Sequence, residues 1–144
     1  MLTIRADTEW VGGRPGTTVR AGKHHVMMDE PQSTGGDDLG PNPMQFLLAG
    51  IGGCLIGMGR LVARERNLSI SRIRCRVEGD VNPDGMTAAD PAVRPGCQEI
   101  RLILEVDSEE SNETLRDWLE TVERRCPVRD TVANATPVTV RLRS

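Results

Sequence analysis

Apolar and polar residues alternate along two stretches of the chain, and this pattern predicts two β-strands. In residues 70–79 the apolar positions are Ile73, Cys75 and Val77, with arginines between them. Residues 99–107 repeat the pattern, with aliphatic side chains at every second position. A period of two places alternate side chains on opposite faces of a strand, so each strand should bury one face. Shorter strands are predicted for residues 2–6, 17–21, 25–28 and 136–142.

The spacing of apolar residues changes after Asn42 and predicts a long helix. Asn42 is a suitable N-cap, and Pro43 suits the first helical position. Apolar residues then occur on nearly every side as far as Met58, after which charged residues appear and the helix is expected to end near Asn67. A helix of about 24 residues is roughly 36 Å long, about the diameter of a small domain. We therefore expect a helix that crosses the domain and is buried on all sides.

This predicted helix contains an unusual number of glycines. Each glycine costs about 1 kcal/mol relative to alanine in a helix interior, so close approach by another element is expected to offset the cost. A second copy of the same helix is the simplest such element, because a chain of 144 residues is too small to cover the helix alone. A homodimer follows as a prediction. The glycines are Gly50, Gly52, Gly53, Gly57 and Gly59.

A second helix is predicted for residues 112–125. Leu115, Trp118, Leu119 and Val122 form an apolar stripe at helical spacing, and the helix is expected to end at Cys126 and Pro127. Strands, helix, strands, helix and strand then follow one another in a single domain of residues 1–144. This order predicts the α+β class.

Composition excludes several classes of function. The net charge of −3 and the scarcity of aromatic residues argue against a nucleic-acid partner. The first residues do not resemble a signal peptide. The apolar part of the long helix, residues 46–59, is too short to span a bilayer, so no membrane partner is expected. We therefore predict a cytoplasmic protein.

Four cysteines are candidates for chemistry, and no metal site is expected because no CxxC or CxxH pair occurs. Cys54 lies in the middle of the predicted long helix. It is either a small core residue or a reactive thiol that a nearby cation activates. Cys126 follows two arginines, whose charges favour a thiolate while the helix C-terminus opposes it. Cys75 is expected in the core, and Cys97 lies in a loop. The residues alone leave these alternatives open.

Two segments resemble the OsmC/Ohr families, which are named for osmotic induction and organic hydroperoxide resistance. Residues 40–54, GPNPMQFLLAGIGGC, resemble the start of the central helix with the reactive cysteine. Residues 126–132, CPVRDTV, resemble the second cysteine motif, and residues 29–31, DEP, are typical of an OsmC-like subgroup. The resemblance implies an OsmC-like fold, in which antiparallel sheets surround a long central helix in an intertwined dimer.

The resemblance also implies a mechanism. Cys54 matches the cysteine that attacks a peroxide and becomes a sulfenic acid, and Cys126 matches the cysteine that condenses with it to a disulfide. Arg14, in the turn GGRPG, matches the arginine that lowers the pKa of the reactive thiol. Met44 stands where a glutamate normally orients that arginine. The adjacent Gln45 matches the glutamate of a divergent subgroup, again without the charge.

The predicted function is therefore a thiol-dependent peroxidase that reduces organic hydroperoxides or hydrogen peroxide, with Met44 and Gln45 on the substrate side. No cofactor is required, and the resemblance suggests a dithiol or lipoyl-type reductant. The alternative is an OsmC-like binding or redox-sensing protein without useful turnover. The missing carboxylate favours this alternative, and the retained pair of cysteines argues against it.

Overall fold

The computed structural model describes residues 1–87 and 89–143. The chain forms two compact units, Met1–Leu47 and Leu48–Ser144, which we call the N-terminal and C-terminal units. Each unit contains an antiparallel sheet, and one long helix begins in the first unit and continues in the second. This mixture of antiparallel sheets and helices is the α+β class that the sequence predicts.

Three short strands form the sheet of the N-terminal unit, in the order β1-β2-β3. They are β1 (Asp7–Glu9), β2 (Thr17–Ala21) and β3 (His24–Met28), and a short 3-10 helix follows at Gln32–Thr34. The predictions for β2 and β3 are confirmed. The strand predicted for residues 2–6 is wrong, because that segment has no neighbouring strand to pair with in this chain.

The long helix α1 (Pro43–Glu65) begins where its capping residues predict. The side chain of Asn42 accepts a hydrogen bond from the Gln45 backbone N–H, and the Gln45 side chain accepts one from the Asn42 backbone N–H, each at 2.8 Å. This reciprocal capping box satisfies two of the backbone donors at the helix start. The helix ends at Glu65, and Asn67, two residues later, adopts a left-handed conformation with φ 55° that turns the chain away from the helix axis.

Burial of α1 differs from the prediction, because one chain covers only one of its faces. Its buried residues are Ile51, Gly52, Leu55, Gly59, Val62 and Ala63. On the other face, a Cβ added at Gly50, Gly53 or Gly57 would meet no atom within 4 Å. The expectation of burial on all sides is therefore wrong for a single chain.

The C-terminal unit packs α1 against a helix and a two-stranded sheet. The strands β4 (Ile70–Asp80) and β5 (Glu99–Ser108) pair antiparallel, with Cys75 opposite Leu104. The helix α3 (Asn112–Arg125) matches its predicted bounds, and Ser111 caps it through the Thr114 N–H. The fully buried members of the core are Leu55, Val62, Trp118, Val122 and Cys126, with Ala63 at their edge.

Trp118 explains one of the glycines in α1. Its indole Nε1 donates to the Gly59 carbonyl at 3.0 Å, and the side chain is only 1% exposed. A Cβ at Gly59 would lie 2.8 Å from the Trp118 ring, so the glycine permits this close approach. The predicted reason for a glycine, close approach by another element, therefore holds within the chain at this position.

Two short helices were not predicted. One is α2 (Pro83–Met86), between β4 and β5, and the other is α4 (Pro127–Ala133), directly after α3. The last predicted strand, residues 136–142, is wrong. Val138, Val140 and Leu142 do alternate with polar residues, but each is more than 80% exposed and the segment pairs with no strand in this chain.

The length of α1 also corrects the argument about membranes. The helix has 23 residues, and its most apolar window has a mean hydropathy of 1.8, so length and composition would allow it to cross a bilayer. Residues 46–59, the most apolar part, make up only part of this helix. The core helix of a soluble protein passes the same test, and α1 carries part of the core.

Candidate active site

Two cysteines that lie 72 positions apart in sequence meet inside the C-terminal unit. Cys54 is half-buried in the middle of α1, and Cys126 is fully buried between α3 and α4. Both are reduced, and the Cys126 Sγ donates to the Cys54 Sγ across 2.9 Å. A disulfide has an S–S distance of about 2.05 Å, so the two sulfurs need approach by less than about 1 Å to form one.

The junction between α3 and α4 holds Cys126 in place. Cys126 has an extended backbone, with φ −78° and ψ 108°, and it is both the C-cap of α3 and the N-cap of α4. Its carbonyl accepts the first hydrogen bond of α4, from the Asp130 N–H at 3.0 Å. Pro127 takes the first position of α4, where its missing N–H and fixed φ are no disadvantage. The Cys-Pro sequence thus turns the chain and fixes the cysteine at the turn.

Surroundings within this unit make the Cys54 thiol a weaker acid. Burial raises the pKa of Cys54, and the adjacent Cys126 raises it further, chiefly through the hydrogen bond between the two sulfurs and to a smaller extent through electrostatic repulsion between them. The backbone N–H of Val128, near the start of α4, hydrogen-bonds to Cys54 and lowers the pKa. The net direction is upward, so the C-terminal unit alone favours the neutral thiol.

The arginines beside Cys126 have other partners. Arg125 makes a two-pronged contact with the Glu65 carboxylate at the end of α1, and this contact lowers the pKa of Glu65. Arg124 donates to the Thr121 hydroxyl at 3.5 Å. From the sequence, these charges are expected to favour a Cys126 thiolate. In the structure, Arg125 instead joins the end of α3 to the end of α1 through its contact with Glu65.

The other three predicted site residues belong to the N-terminal unit. Arg14 lies in the turn between β1 and β2, and within this unit no described residue forms a salt bridge with its guanidinium. Met44 is half-buried in the first turn of α1. Gln45 is next to it, with its side-chain oxygen held by the capping box. The structure therefore brings Cys54 and Cys126 together and places Arg14, Met44 and Gln45 in a separate unit.

Three groups near these residues were not identified as site components from the sequence. The Asp29 carboxylate is 8% exposed and accepts backbone hydrogen bonds from Leu39, Asp37 and Glu30, which hold its pKa low. It closes the loop that precedes α1. The Trp10 indole contacts the turn that carries Arg14, and the Val128 N–H contacts Cys54. The position of an acidic residue before a glycine-rich loop could have indicated Asp29 from the sequence. A hydrogen bond from a backbone N–H cannot be inferred from residue types.

Of the remaining cysteines, Cys75 lies in β4 and Cys97 lies in the loop that precedes β5. Cys75 packs against the core, and burial raises the pKa of its thiol. Cys97 is half-buried, with its Sγ 3.0 Å from the position of a Cβ at Gly79. Among residues 1–87 and 89–143, no group of three or more His, Cys, Asp and Glu side chains is placed to hold a metal ion.

Comparison with known proteins identifies the family of the chain. A family model described as OsmC-like protein matches residues 35–141. A protein of Mycoplasma pneumoniae named hydroperoxide reductase is 28% identical over 96 residues, which is 65% of this chain and 62% of that relative. The chain thus matches less than two thirds of the length of this relative.

Solved structures show the same fold. The crystal structure of an OsmC-like protein from Mycoplasma pneumoniae has a TM-score of 0.79 at 20% identity, covering 93% of this chain and 89% of that one. An organic hydroperoxide resistance protein from Legionella pneumophila has a TM-score of 0.63 at 21% identity, covering 92% and 90% of the two chains. At these identities the likeness establishes the fold.

Proposed function

Because the chain belongs to the OsmC-like family, we propose that it is a thiol-dependent peroxidase that reduces organic hydroperoxides or hydrogen peroxide. The names of the matched relatives support a peroxide-reducing role at the level of the family. The observation that carries the proposal for this chain is the distance of 2.9 Å between the sulfurs of Cys54 and Cys126.

The proposed reaction has two chemical steps. The Cys54 thiolate attacks one oxygen of the peroxide, and the O–O bond breaks. The attacked oxygen stays on Cys54 as a sulfenic acid, and the other oxygen leaves as an alcohol or water once it is protonated. The Cys126 sulfur then attacks the sulfenic sulfur, water leaves, and a disulfide forms. A dithiol of the small-molecule or lipoyl type reduces this disulfide by exchange, and its own two thiols become a disulfide.

Arg14 has the role of the activating cation in this proposal. The Cys54 thiolate is the nucleophile, but its own unit raises the pKa of the thiol. A guanidinium within a few ångströms can lower a thiol pKa by several units, and its absence should raise it. Arg14→Ala should therefore slow sulfenate formation at neutral pH and shift the pH dependence of Cys54 alkylation upward. Met44 and Gln45 are proposed to line the substrate side.

A redox-sensing or binding protein without useful turnover is the second candidate. Two features favour it. The residue at position 44 is neutral, and the Gln45 side-chain oxygen is engaged in the helix cap. Neither side chain can therefore hold a guanidinium as a carboxylate would. Such a protein would form the same disulfide but would not be recycled by a dithiol.

Steady-state reduction of an organic hydroperoxide, with a dithiol as the electron donor, separates the two candidates. Peptide mapping after one equivalent of peroxide should find Cys54 joined to Cys126 in the same chain. Cys126→Ser should lose turnover and accumulate the Cys54 sulfenic acid, whereas Cys75→Ser and Cys97→Ser are controls that should keep both activity and disulfide. A disulfide that forms without turnover would support the sensor, and a disulfide through Cys75 or Cys97 would refute the assignment.

We further propose that the protein functions as a cytoplasmic homodimer. The exposed face of α1 is lined by Gly50, Gly53 and Gly57, and a second helix could approach such a face closely. Residues 136–142 have the alternation of a strand but no strand beside them in this chain. A partner copy could supply both missing contacts. Sedimentation at micromolar concentration should give twice 15.8 kDa, and a stable monomer would refute the dimer.

A further inference from the structure

Both backbone polar groups of Arg14, its N–H and its carbonyl, are hydrogen-bonded within the turn that carries this residue. The Arg14 N–H donates to the Val11 carbonyl at 3.1 Å, which closes a β-turn. The Trp10 indole Nε1 donates to the Arg14 carbonyl, also at 3.1 Å. Gly13 has φ 78°, a left-handed conformation that a residue with a side chain adopts only with strain.

The residues after Arg14 restrict the same segment. Pro15 disfavours helical backbone conformations at the residue before it, Arg14. Gly16 has φ 72°, and a Cβ there would lie 2.7 Å from the Met27 sulfur and 3.1 Å from the Met28 carbonyl of β3. The backbone on the C-terminal side of Arg14 is thus packed against the sheet. The freedom that remains to the guanidinium lies in the torsions of its own side chain.

Burial does not account for Trp10. The side chain is 66% exposed, and its ring lies along the turn, 3.7 Å from the position of a Cβ at Gly12. Trp10 and Arg14 also line one pocket of the N-terminal unit, which has a volume of about 310 Å³. The Trp10 side chain is therefore mostly in contact with water. Its specific interaction is with the turn, through the hydrogen bond to the Arg14 carbonyl.

We propose that Trp10 is a positioning residue for Arg14: its indole N–H holds the turn in the conformation that presents the guanidinium. This inference rests on the proposed function, in which Arg14 favours the thiolate. It assigns a role in the control of thiol reactivity to a hydrogen bond outside the cysteine pair.

The test compares Trp10→Phe, which removes the indole N–H but keeps an aromatic ring, with Arg14→Ala and with the double variant. Val11→Ala is the control, because it changes an exposed side chain in the same turn and keeps the carbonyl that Arg14 binds. For each protein, the rate of Cys54 oxidation by cumene hydroperoxide is measured by stopped flow. The apparent pKa of Cys54 is measured separately from the pH dependence of alkylation by iodoacetamide.

Trp10→Phe is expected to slow oxidation about fivefold, the factor that corresponds to the loss of one ordinary hydrogen bond, and to raise the apparent pKa of Cys54. Arg14→Ala should have a larger effect of the same sign, and Trp10→Phe should add nothing in the Arg14→Ala background. Val11→Ala should behave as wild type. A change of stability alone would leave the apparent pKa of the folded protein where it was.

Other results would overturn the inference in distinguishable ways. If Arg14→Ala slows oxidation and Trp10→Phe does not, Trp10 has no positioning role and the proposed function stands. If Trp10→Phe slows the reaction equally with and without Arg14, the indole acts by another route. If Arg14→Ala changes neither the rate nor the apparent pKa, the proposed role of Arg14 fails, and the inference fails with it. If wild type does not react with peroxide, the alkylation measurements still decide whether Trp10 acts through Arg14.

Discussion

Alanine at Gly50, Gly53 and Gly57 together tests whether a second copy of the chain covers the exposed face of α1. In a single chain, a Cβ added at any of these positions meets no atom within 4 Å. Alanine is favoured over glycine by about 1 kcal/mol in a helix interior, so a monomer should gain roughly 3 kcal/mol from the three changes. With an unfolding entropy of about 2.1 cal/mol/K per residue, the Tm of a 144-residue monomer should rise by about 10 °C.

A dimer that packs on this face predicts the opposite sign. Added methyl groups in a close interface cost about 1–3 kcal/mol each, and symmetry repeats every substitution in the partner. We therefore expect the triple variant to sediment as a smaller species or to melt below wild type. The assay combines sedimentation velocity with thermal melts at several protein concentrations, because the Tm of a dimer depends on concentration.

Gly59→Ala provides the control for this experiment. A Cβ at Gly59 would lie 2.8 Å from Trp118 and 3.1 Å from Ile73 within the same chain. Overpacking of about 1–3 kcal/mol should exceed the gain of about 1 kcal/mol in helix propensity, so this variant is destabilised whatever the assembly. A triple variant that keeps the sedimentation of wild type and melts about 10 °C higher would refute a dimer contact at these glycines.

Three further outcomes are expected. Met44→Glu should speed sulfenate formation at Cys54 in stopped-flow measurements, because a carboxylate holds a guanidinium more firmly than a thioether does, and the gain should vanish with Arg14→Ala. Asp29→Asn should open the loop before α1, seen as faster amide hydrogen exchange. Because the backbone donors hold the Asp29 pKa low, its contribution to stability is present above about pH 4 and is lost as pH falls through the folded pKa, a loss that the Asn variant should not show. Trp118→Ala should reduce the free energy of unfolding in urea by about 3–5 kcal/mol, and a loss below 1 kcal/mol would contradict its place in the core.

The elements that could be predicted from the sequence are those whose determinants are local. Asn42 and Pro43 marked the start of α1, and the stripe that includes Trp118 gave the bounds of α3. The short helix α4 was missed because seven residues are too few to establish an apolar period, and because its start depends on Cys126 serving two helices. Strand alternation in residues 136–142 was visible, but a strand also needs a neighbour, and the chain provides none there.

The candidate site was less accessible from the sequence than the fold. Cys54 and Cys126 are separated by 72 positions, and no helix period or spacing rule relates them, so only the family resemblance paired them. The hydrogen bond from the Val128 N–H and the one from Trp10 to the Arg14 carbonyl involve backbone groups, which every residue has. Contacts of this kind depend on the path of the chain, and residue type does not reveal them.

The C-terminal unit contains both thiols and opposes the ionisation of Cys54. In the C-terminal unit, burial and Cys126 keep the Cys54 pKa high, and the Val128 N–H only opposes this. A peroxidatic cysteine reacts as a thiolate, so this unit by itself holds the site in its less reactive form at neutral pH. The approach of the two sulfurs, in contrast, is complete without the N-terminal unit, because α1, α3 and α4 determine it. If Arg14 supplies the missing activation, its loss should therefore slow sulfenate formation at Cys54 while leaving the later condensation with Cys126 unchanged.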